Sequence, residues 1–340
     1  MLAIDKCFDQ AITYYNYNMH LEAVREFERC IALDPNERMA YWYRAMALLA
    51  LGDYPAGFKA HECRWDYFDW AWGGILDESV VKLKTLPVWK GEPLDGRRVI
   101  LHHEQGFGDD IMMFRYIPAL KALGANITAL MPPALHRLVS QQFSIPCLGA
   151  IDDTSSYDYR CGVFDVMVPL KQTTVTIPGE PYIRPNLWKM FRSDDSGVNI
   201  GIAWSGRSRN ELSLGQFLQL LNAPAGSRIY SIQIGNVGDS GVFPFAGKDF
   251  ADVADLIANM DHIVTVDTGA AHLAGAMGHP SQHLIVPWNT DWRWHRVHRW
   301  YPTINLYRQP LPGNDWSEPF EKISHVIRPQ DGAPCGRAPQ

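Results

Sequence analysis

The feature that most constrains the fold is an alternation of short apolar strands with helices, which begins near residue 97. It runs in two series, separated by a looser stretch at about 150–190 and a polar linker at 190–197. Strands connected by helices form parallel sheets, so two series predict two Rossmann-like domains. Ligands of such sheets bind at the carboxyl ends of the strands, which a two-domain chain would place in a cleft. The predicted strands are 99–102, 125–130, 198–204, 228–234, 263–266 and 283–287. The predicted helices are 111–123, one that Pro132 and Pro133 open, 214–221, 251–259 and 270–277.

The first 72 residues read as helical and contain a repeat of 34 residues. Small residues recur at this interval, at Ala11 and Ala45 and again at Ala23 and Gly57, where they let paired helices approach closely. The spacing resembles about two tetratricopeptide repeats, and a generic four-helix segment is the alternative. Because two such repeats form little core of their own, we expect them to pack on the rest of the chain.

Composition and charge exclude several classes of protein. A formal net charge of −6 gives no general attraction to nucleic acid or to an anionic membrane. The six cysteines are far apart, which argues against a zinc site and a secreted disulfide framework. The N-terminus lacks a signal-peptide pattern, and no stretch approaches 18 uninterrupted apolar residues. We therefore expect a cytoplasmic protein with no membrane span and no nucleic-acid partner.

The segment 262–280 combines a buried strand, an Asp-Thr-Gly turn and a helix of small residues. Free N–H groups at the start of that helix, together with the helix dipole, favour a bound anion. Gly269 allows the backbone to approach a ligand closely. The segment therefore predicts a phosphate site, and the alternative is an ordinary strand-to-helix corner capped by Asp267 or Thr268.

A second strand–turn–helix motif carries acids where a dinucleotide fingerprint would meet phosphate. Gly106 and Gly108 begin like that fingerprint, but Ile111 occupies the third glycine position, and Asp109 and Asp110 follow the glycines. A carboxylate at this place could accept a proton from an acceptor hydroxyl. The alternative is that one of the two acids only caps the helix.

Two further stretches are candidates for ligand contact. Ser205 and Gly206 end a strand and precede Arg207, a combination of hydroxyl, flexible backbone and guanidinium that suits a phosphate, with a solvated loop as the alternative. The stretch 291–302 interleaves basic and aromatic residues, which suits either stacking on bases or sugars or a Trp-rich lid. The chain has no Asp-x-Asp, His-Glu-x-x-His or cysteine-pair motif, so we expect no bound metal.

Five segments support a family resemblance, namely Ala56–Trp65, Glu104–Asp109, Phe114–Pro118, Val266–Ala274 and Asp291–Trp294. In these segments, and in collinear order from about 10 to 325, the chain resembles the bacterial tetratricopeptide-repeat glycosyltransferases, which are related to the ADP-heptose lipopolysaccharide heptosyltransferases of glycosyltransferase family 9. The resemblance implies an α/β GT-B fold, with two Rossmann-like domains preceded by the repeats. The expected parts are repeats at 1–72, an acceptor domain at 73–192, a donor-nucleotide domain at 193–328 and a disordered tail at 329–340.

The resemblance also implies the chemistry and the residues that perform it. Transfer would be inverting and metal-independent, from a nucleotide-diphosphate sugar, without a resident cofactor. Asp109 matches the general base. The implied donor-binding residues are Ser205, Gly206, Arg207, Gln233, Asp267, Thr268, Gly269 and His272, and the expected acceptor or lid residues are Gln105, Gly106, Gly108, Trp292, Arg293 and Trp294. Two departures, a short loop after Trp204 and Ile234 in place of a lysine, leave the donor undefined.

The expected acceptor is a glycan, a lipid-linked saccharide or a protein, and the repeats could bind a protein partner. The alternative function is a catalytically inactive, repeat-bearing scaffold that binds a protein or a glycan. A nucleotide-sugar epimerase or dehydrogenase is excluded by the missing third glycine and by the absence of a Tyr-x-x-x-Lys pair.

Overall fold

The computed structural model describes residues 3–67, 77–186, 197–206, 212–233 and 237–328. These residues form two compact units. Unit 1 comprises Met1–Arg184, Asp249–Ala251 and Asn289–Pro302, and unit 2 comprises Pro185–Lys248, Asp252–Trp288 and Thr303–Gln340. The domain boundaries expected near 72 and 192, and the tail expected at 329–340, lie outside the described residues and stay predictions.

Unit 1 begins with helices that each contact the next along the chain. They are α1 (Ala3–Asn16), α2 (His20–Leu33), α3 (Arg38–Leu51) and α4 (Tyr54–His61). The second pair repeats the first, because α4 begins 34 residues after α2. Ala11, Ala23 and Ala45 are fully buried, and a Cβ on Gly57 would lie 2.7 Å from Leu49 Cδ2. The helical pairs predicted for this segment are confirmed, and small residues stand where the helices meet.

The turn between α3 and α4 follows from local capping. Gly52 ends α3 in the left-handed region at φ +85°, which costs glycine little. Asp53 then accepts a hydrogen bond from the Ala56 N–H at 3.2 Å and so caps α4. Pro55 stands in the first turn of α4, where its missing N–H is no loss.

A four-stranded parallel sheet completes the core of unit 1, with the order β3-β2-β1-β4. Its strands are β1 (Arg98–His102), β2 (Asn126–Leu130), β3 (Cys147–Leu148) and β4 (Tyr159–Gly162), and the helices of this region are α5 (Arg64–Tyr67), α6 (Asp77–Leu83), α7 (Phe107–Met113), α8 (Ile117–Ala122) and α9 (Pro133–Phe143). In register, Val99 of β1 lies opposite Ile127 of β2 and Tyr159 of β4.

The single helix predicted over 111–123 is wrong. α7 begins earlier, and a 3₁₀ turn at Phe114–Tyr116 separates it from α8. Pro118 explains the break, because a proline has no N–H to donate to the carbonyl of Phe114. Neither β3 nor β4 is among the predicted strands. β3 lies just before the stretch at about 150–190 that reads as loose, and β4 lies within it.

Unit 2 is built on a five-stranded parallel sheet with the order β6-β5-β7-β8-β9. In chain order, the remaining elements are β5 (Asn199–Ala203), α10 (Leu214–Leu221), β6 (Arg228–Ser231), α11 (Phe250–Ile257), β7 (His262–Thr265), α12 (Gly269–Ala276), β8 (Gln282–Val286), α13 (Trp292–His295), α14 (Val297–Trp300), β9 (Ile304–Arg308) and α15 (Ser317–Ile327). Of these, α13 and α14 belong to unit 1. The parallel α/β sheets predicted from the alternation are confirmed, and β9 and α15 extend the second series.

Both sheets contain a point at which the strand order reverses. In unit 1, β2 and β4 flank β1, and in unit 2, β6 and β7 flank β5. Loops that leave neighbouring strands in opposite directions open a crevice at the carboxyl edge, where open α/β sheets bind ligands. The fold therefore directs attention to the loops after β1 and β4, and to those after β5, β6 and β7.

The longest helices that the structure describes have 14 residues. None of the helices in the described ranges is long and apolar enough to cross a membrane.

The close approach of α3 and α4 generates a test of stability. Gly57→Ala should destabilise the protein by roughly 1–3 kcal/mol, because the new methyl group would overlap Leu49. Gly215→Ala, in α10, is the matched control, because a Cβ added at Gly215 would meet no neighbouring atom within 4 Å. That control should be neutral or stabilising by about 1 kcal/mol. Denaturant unfolding measures both, and equal effects would show that the α3–α4 contact is not tight.

Candidate functional site

The loop after β1 is fixed by buried polar contacts before it reaches α7. Glu104 is fully buried, and its Oε1 accepts a hydrogen bond from the Phe164 N–H at 2.8 Å. The backbone of Gln105 takes the left-handed conformation at φ +67°. Its side-chain amide nitrogen, Nε2, lies 3.4 Å from His61 Nε2. Gly106 is extended and precedes the first turn of α7. The backbone that leads to Asp109 is therefore held by the loop after β4 and by α4.

A buried ion cluster joins this loop to the helical segment. Arg64 of α5 donates from Nη2 to Glu104 Oε1 at 2.9 Å and to Asp165 Oδ1 at 2.7 Å. The Trp65 indole N–H donates to the same Asp165 oxygen at 2.9 Å. Burial opposes ionisation of Asp165, but Arg64 and Trp65 outweigh it and lower its pKa. Burial raises the pKa of Glu104 above its usual range, and Arg64 opposes that shift.

Sequence reasoning did not identify this cluster. The nearest signal is the Glu-x-Arg-Trp run at 62–65, which belongs to the family resemblance. The partners Glu104 and Asp165 lie 40 and 101 residues from Arg64, so no local spacing connects them.

The two acids at the start of α7 have different surroundings. Asp110 is enclosed, and one of its oxygens is hydrogen-bonded to His103 Nδ1; burial raises the pKa of Asp110 to about 6, against the effect of His103. The Asp109 side chain is 12% exposed. Its Oδ2 accepts from the Gly106 N–H at 3.0 Å, while its Oδ1 accepts from Arg293 Nη2. Burial raises the pKa of Asp109, and Arg293 opposes that shift. Asp109 therefore caps α7 with one oxygen, and its carboxylate is more accessible to solvent than that of Asp110.

The expected acceptor or lid residues of α13 lie inside unit 1. The Trp292 and Trp294 indoles are at most 1% exposed, and Trp292 packs edge-on against Phe58 at 5.6 Å. Arg293 is instead directed toward carboxylates, donating from Nη1 to Asp291 Oδ1 at 2.6 Å and from Nη2 to Asp109. The lid role stays a prediction that the burial of both indoles does not support, because a buried ring offers no free face for stacking.

In unit 2, the loops after three neighbouring strands meet at the carboxyl edge. The Gln233 side-chain oxygen, just after β6, accepts from the Trp204 N–H at 2.9 Å and the Ser205 N–H at 3.2 Å. A Cβ on Gly206 would run into the backbone carbonyl of Asp267, which follows β7. The predicted donor residues Ser205, Gly206, Gln233 and Asp267 are therefore neighbours, whereas Arg207 lies outside the described residues.

The start of α12 adds backbone donors to this edge. Thr268 is the N-cap, and its hydroxyl accepts from the Ala271 N–H at 3.3 Å. The first N–H groups, at Gly269 and Ala270, have no partner within a helix, and the helix dipole favours an anion beside them. His272 is 3% exposed, and its Nε2 lies 4.0 Å from Asp267 Oδ1. His272 is therefore buried beside Asp267. The site residues predicted here stay candidates.

Among the described residues, no group of three or more His, Cys, Asp or Glu side chains could hold a metal ion.

Comparison with known sequences identifies one family segment. Residues 244–284 match the model of glycosyltransferase family 9 (heptosyltransferase), a range that contains β7, the Asp267 turn and α12. The similarity to this family covers that segment of unit 2 and the three unit 1 residues Asp249–Ala251 within it. A curated relative is Protein FlbA of Caulobacter vibrioides, which is 23% identical over 338 residues. The alignment covers 85% of this chain and 55% of FlbA, so the chain spans little more than half of that relative.

Comparison with solved structures finds two similar chains from E. coli, among others. The iron-containing dodecameric glycosyltransferase TibC, from the enterotoxigenic strain, has 16% identity and a TM-score of 0.47, over 66% of this chain and 66% of that chain. The heptosyltransferase WaaC with ADP-2-deoxy-2-fluoro heptose has 12% identity and a TM-score of 0.48, over 68% of this chain and 98% of that chain.

The buried ion cluster yields a stability test with a matched control. Arg64→Met should destabilise the protein by about 3–5 kcal/mol, because two enclosed carboxylates would lose their partner. Arg97→Met removes the exposed pair with Asp158 and should cost at most about 1 kcal/mol. Denaturant unfolding at neutral pH compares the two variants. If Arg64→Met costs no more than Arg97→Met, the cluster does not hold the loops as described.

Proposed function

We propose that this protein is a GT-B glycosyltransferase that moves a sugar from a nucleotide-diphosphate sugar to a hydroxyl acceptor. One observation carries the proposal. The family 9 match includes the turn and helix start for which the sequence predicts a phosphate site, and these lie after β7, beside the point where the strand order reverses. The roles of α12 and Asp109 rest on the surroundings of these residues in each unit, whereas the class of acceptor and the compartment rest on the sequence.

The donor half of the proposal concerns unit 2. The diphosphate would lie at the start of α12, against the N–H groups of Gly269 and Ala270 and the edge formed by Ser205 and Gly206. The helix dipole stabilises negative charge there, and it stabilises more when charge accumulates on the leaving phosphate. Transfer without a metal ion needs this kind of charge stabilisation, which is the role we assign to α12.

The acceptor half concerns Asp109 in unit 1. As the acceptor oxygen forms its bond to the anomeric carbon, its proton passes to the Asp109 carboxylate. The bond between that carbon and the phosphate oxygen breaks, and its electron pair leaves with the nucleoside diphosphate. A single displacement of this kind inverts the anomeric centre. Among the two acids of α7, Asp109 is the better base because its side chain is reachable, whereas Asp110 is enclosed with His103.

The helices α1–α4 are assigned here to tetratricopeptide-like repeats. Their 34-residue offset and the burial of alanine at equivalent positions support the assignment. We further propose a cytoplasmic enzyme whose acceptor is a glycan, a lipid-linked saccharide or a protein, with the repeats available to a macromolecular partner.

Asp109→Asn tests the general base. Asparagine keeps the shape of the side chain and can still accept from the Gly106 N–H, but it cannot take up the proton. Turnover should therefore fall by about 10²–10⁴-fold while nucleotide affinity, measured by calorimetry, stays the same. Asp152→Asn, at a fully exposed carboxylate of the same unit, is the control and should leave turnover unchanged. Normal turnover in Asp109→Asn would remove the residue from the mechanism.

Gly206→Ala tests the donor site. The new methyl group would push the loop away from Asp267, so nucleotide affinity should fall roughly tenfold or more.

A thermal-shift panel of ADP, UDP, GDP and CDP and of their sugar conjugates identifies the nucleotide to use, because a bound ligand raises the stability of the protein by mass action. Gly215→Ala, with open space around its Cβ in the same unit, should bind like the parent protein. A parent protein that no member of the panel stabilises would favour the inactive scaffold instead.

A further inference from the structure

Residues Asn289–Pro302, here called the return segment, belong to unit 1 although the chain on both sides of them belongs to unit 2. Each of the helices α1–α4 contributes a contact to it. These contacts are Asn289 Nδ2 with Asn16 Oδ1 at 3.2 Å, the His295 ring with the His20 ring at 4.9 Å, Arg296 Nη2 with the Leu51 carbonyl at 3.3 Å, and the Trp300 indole N–H with the Tyr54 hydroxyl oxygen at 2.9 Å. The helices α1–α4 thus all contact the return segment of the same chain.

The α/β part of unit 1 holds the same segment from another side. Arg115, which is buried in the 3₁₀ turn after α7, donates from Nη1 to the Trp300 carbonyl at 2.8 Å. Trp292 packs edge-on against Phe164, which follows β4, with the ring centroids 6.2 Å apart. The backbone and the indoles of the return segment therefore have little freedom to move without breaking buried contacts.

Arg293 is the residue that these contacts place at the candidate base. Its Nη1 is held by Asp291 at 2.6 Å, and its Nη2 donates to Asp109 Oδ1. Because the Gly106 N–H fixes Oδ2, both oxygens of Asp109 have a defined donor. Each carboxylate oxygen has a second lone pair, so the group can still accept a hydrogen bond from an acceptor hydroxyl.

The charge of Arg293 also matters for the state of Asp109. Four titratable or charged groups interact electrostatically with Asp109, namely Arg293, Asp291, His103 and Asp110. Burial and the negative charge of Asp291 raise the pKa of Asp109, and Arg293 opposes both. Without the guanidinium, this buried carboxyl would keep its proton to higher pH, and a protonated carboxyl cannot act as a base.

We propose that Arg293 is a positioning residue that orients Asp109 and keeps it ionised, and that α1–α4 serve to hold the return segment that carries it. The repeats then act on a segment of their own chain. The assignment of Asp109 as the target rests on the proposed function, but the pairing itself does not.

Carbon-13 NMR of protein labelled at the aspartate carboxyl carbon tests the pairing directly, with Asp109→Asn identifying the resonance. In Arg293→Met, the titration midpoint of Asp109 should move upward by about 1–3 pH units. Arg293→Lys keeps one charge but cannot bridge two carboxylates, so its midpoint should lie between those of Arg293→Met and the parent. Arg299→Met, at an exposed arginine of the same segment, should leave the midpoint unchanged. An unchanged midpoint in Arg293→Met, or in Arg293→Lys if the first variant does not fold, overturns the proposal.

The acid limb of nucleotide-sugar hydrolysis should move with the same midpoint, measured with whichever sugar of the thermal-shift panel binds. A loss of packing alone would lower turnover equally at every pH. If the NMR midpoint moves but the acid limb does not, the role of Arg293 in keeping a catalytic base ionised is refuted. If the parent protein neither binds nor hydrolyses any sugar of the panel, the proposed function fails while the pairing stands.

Hydrogen–deuterium exchange tests the helical half of the proposal. Tyr54→Phe removes the hydrogen bond to Trp300 and should speed exchange of the α13 and α14 amides. Exchange in β7 and β8 should not change in the same sample. Equal protection of α13 and α14 in the parent and the variant would show that the helices do not hold the return segment.

Discussion

The buried Arg64 guanidinium is the contact on which the rest of unit 1 depends. It joins α5 to the loops after β1 and β4 through Glu104 and Asp165. A buried charge that loses its partner costs about 3–5 kcal/mol, so these three groups must be brought together as the unit folds. The space around them is also tight, since a Cβ on Gly162 would lie 2.6 Å from Trp65 and 2.7 Å from Glu104. The helical segment and the sheet therefore fold onto each other, and the loop that leads to Asp109 inherits its position from that contact.

Repeats of this kind usually present a surface to another molecule, but here α1–α4 contact the return segment of the same chain. The energetic reason is the size of the repeat array. Two helical pairs bury too little apolar area to be stable alone, and the indoles of Trp292 and Trp300 supply further buried area. The positions of Trp292 and Trp300 are thus explained by packing in unit 1.

The sequence predicted the parallel sheets because apolar strand runs and turn residues are local signals. Strands such as β7 lie within a residue of their predicted bounds. β4 escaped prediction because its Tyr-Arg-Cys-Gly sequence is not apolar, and Arg160 becomes buried only through its neighbours. The candidate site divides in the same way. Asp109 follows from a strand–turn–helix pattern, whereas Arg293 lies 184 residues further along the chain, a partner that only the folded structure reveals.

Asp109 and Asp110 are adjacent in sequence, and their partners separate them in chemistry. Asp110 points to His103, whose own charge depends on pH, so that buried pair can share one proton and remain neutral overall. Asp109 points to an arginine that is always charged, and that fixed charge opposes the rise that burial causes in the pKa of Asp109. Burial acts on both acids and raises both pKa values, and in each case the partner opposes that rise. The proposed base, Asp109, therefore depends on a fixed positive charge from elsewhere in the chain, and the return segment supplies that charge as Arg293.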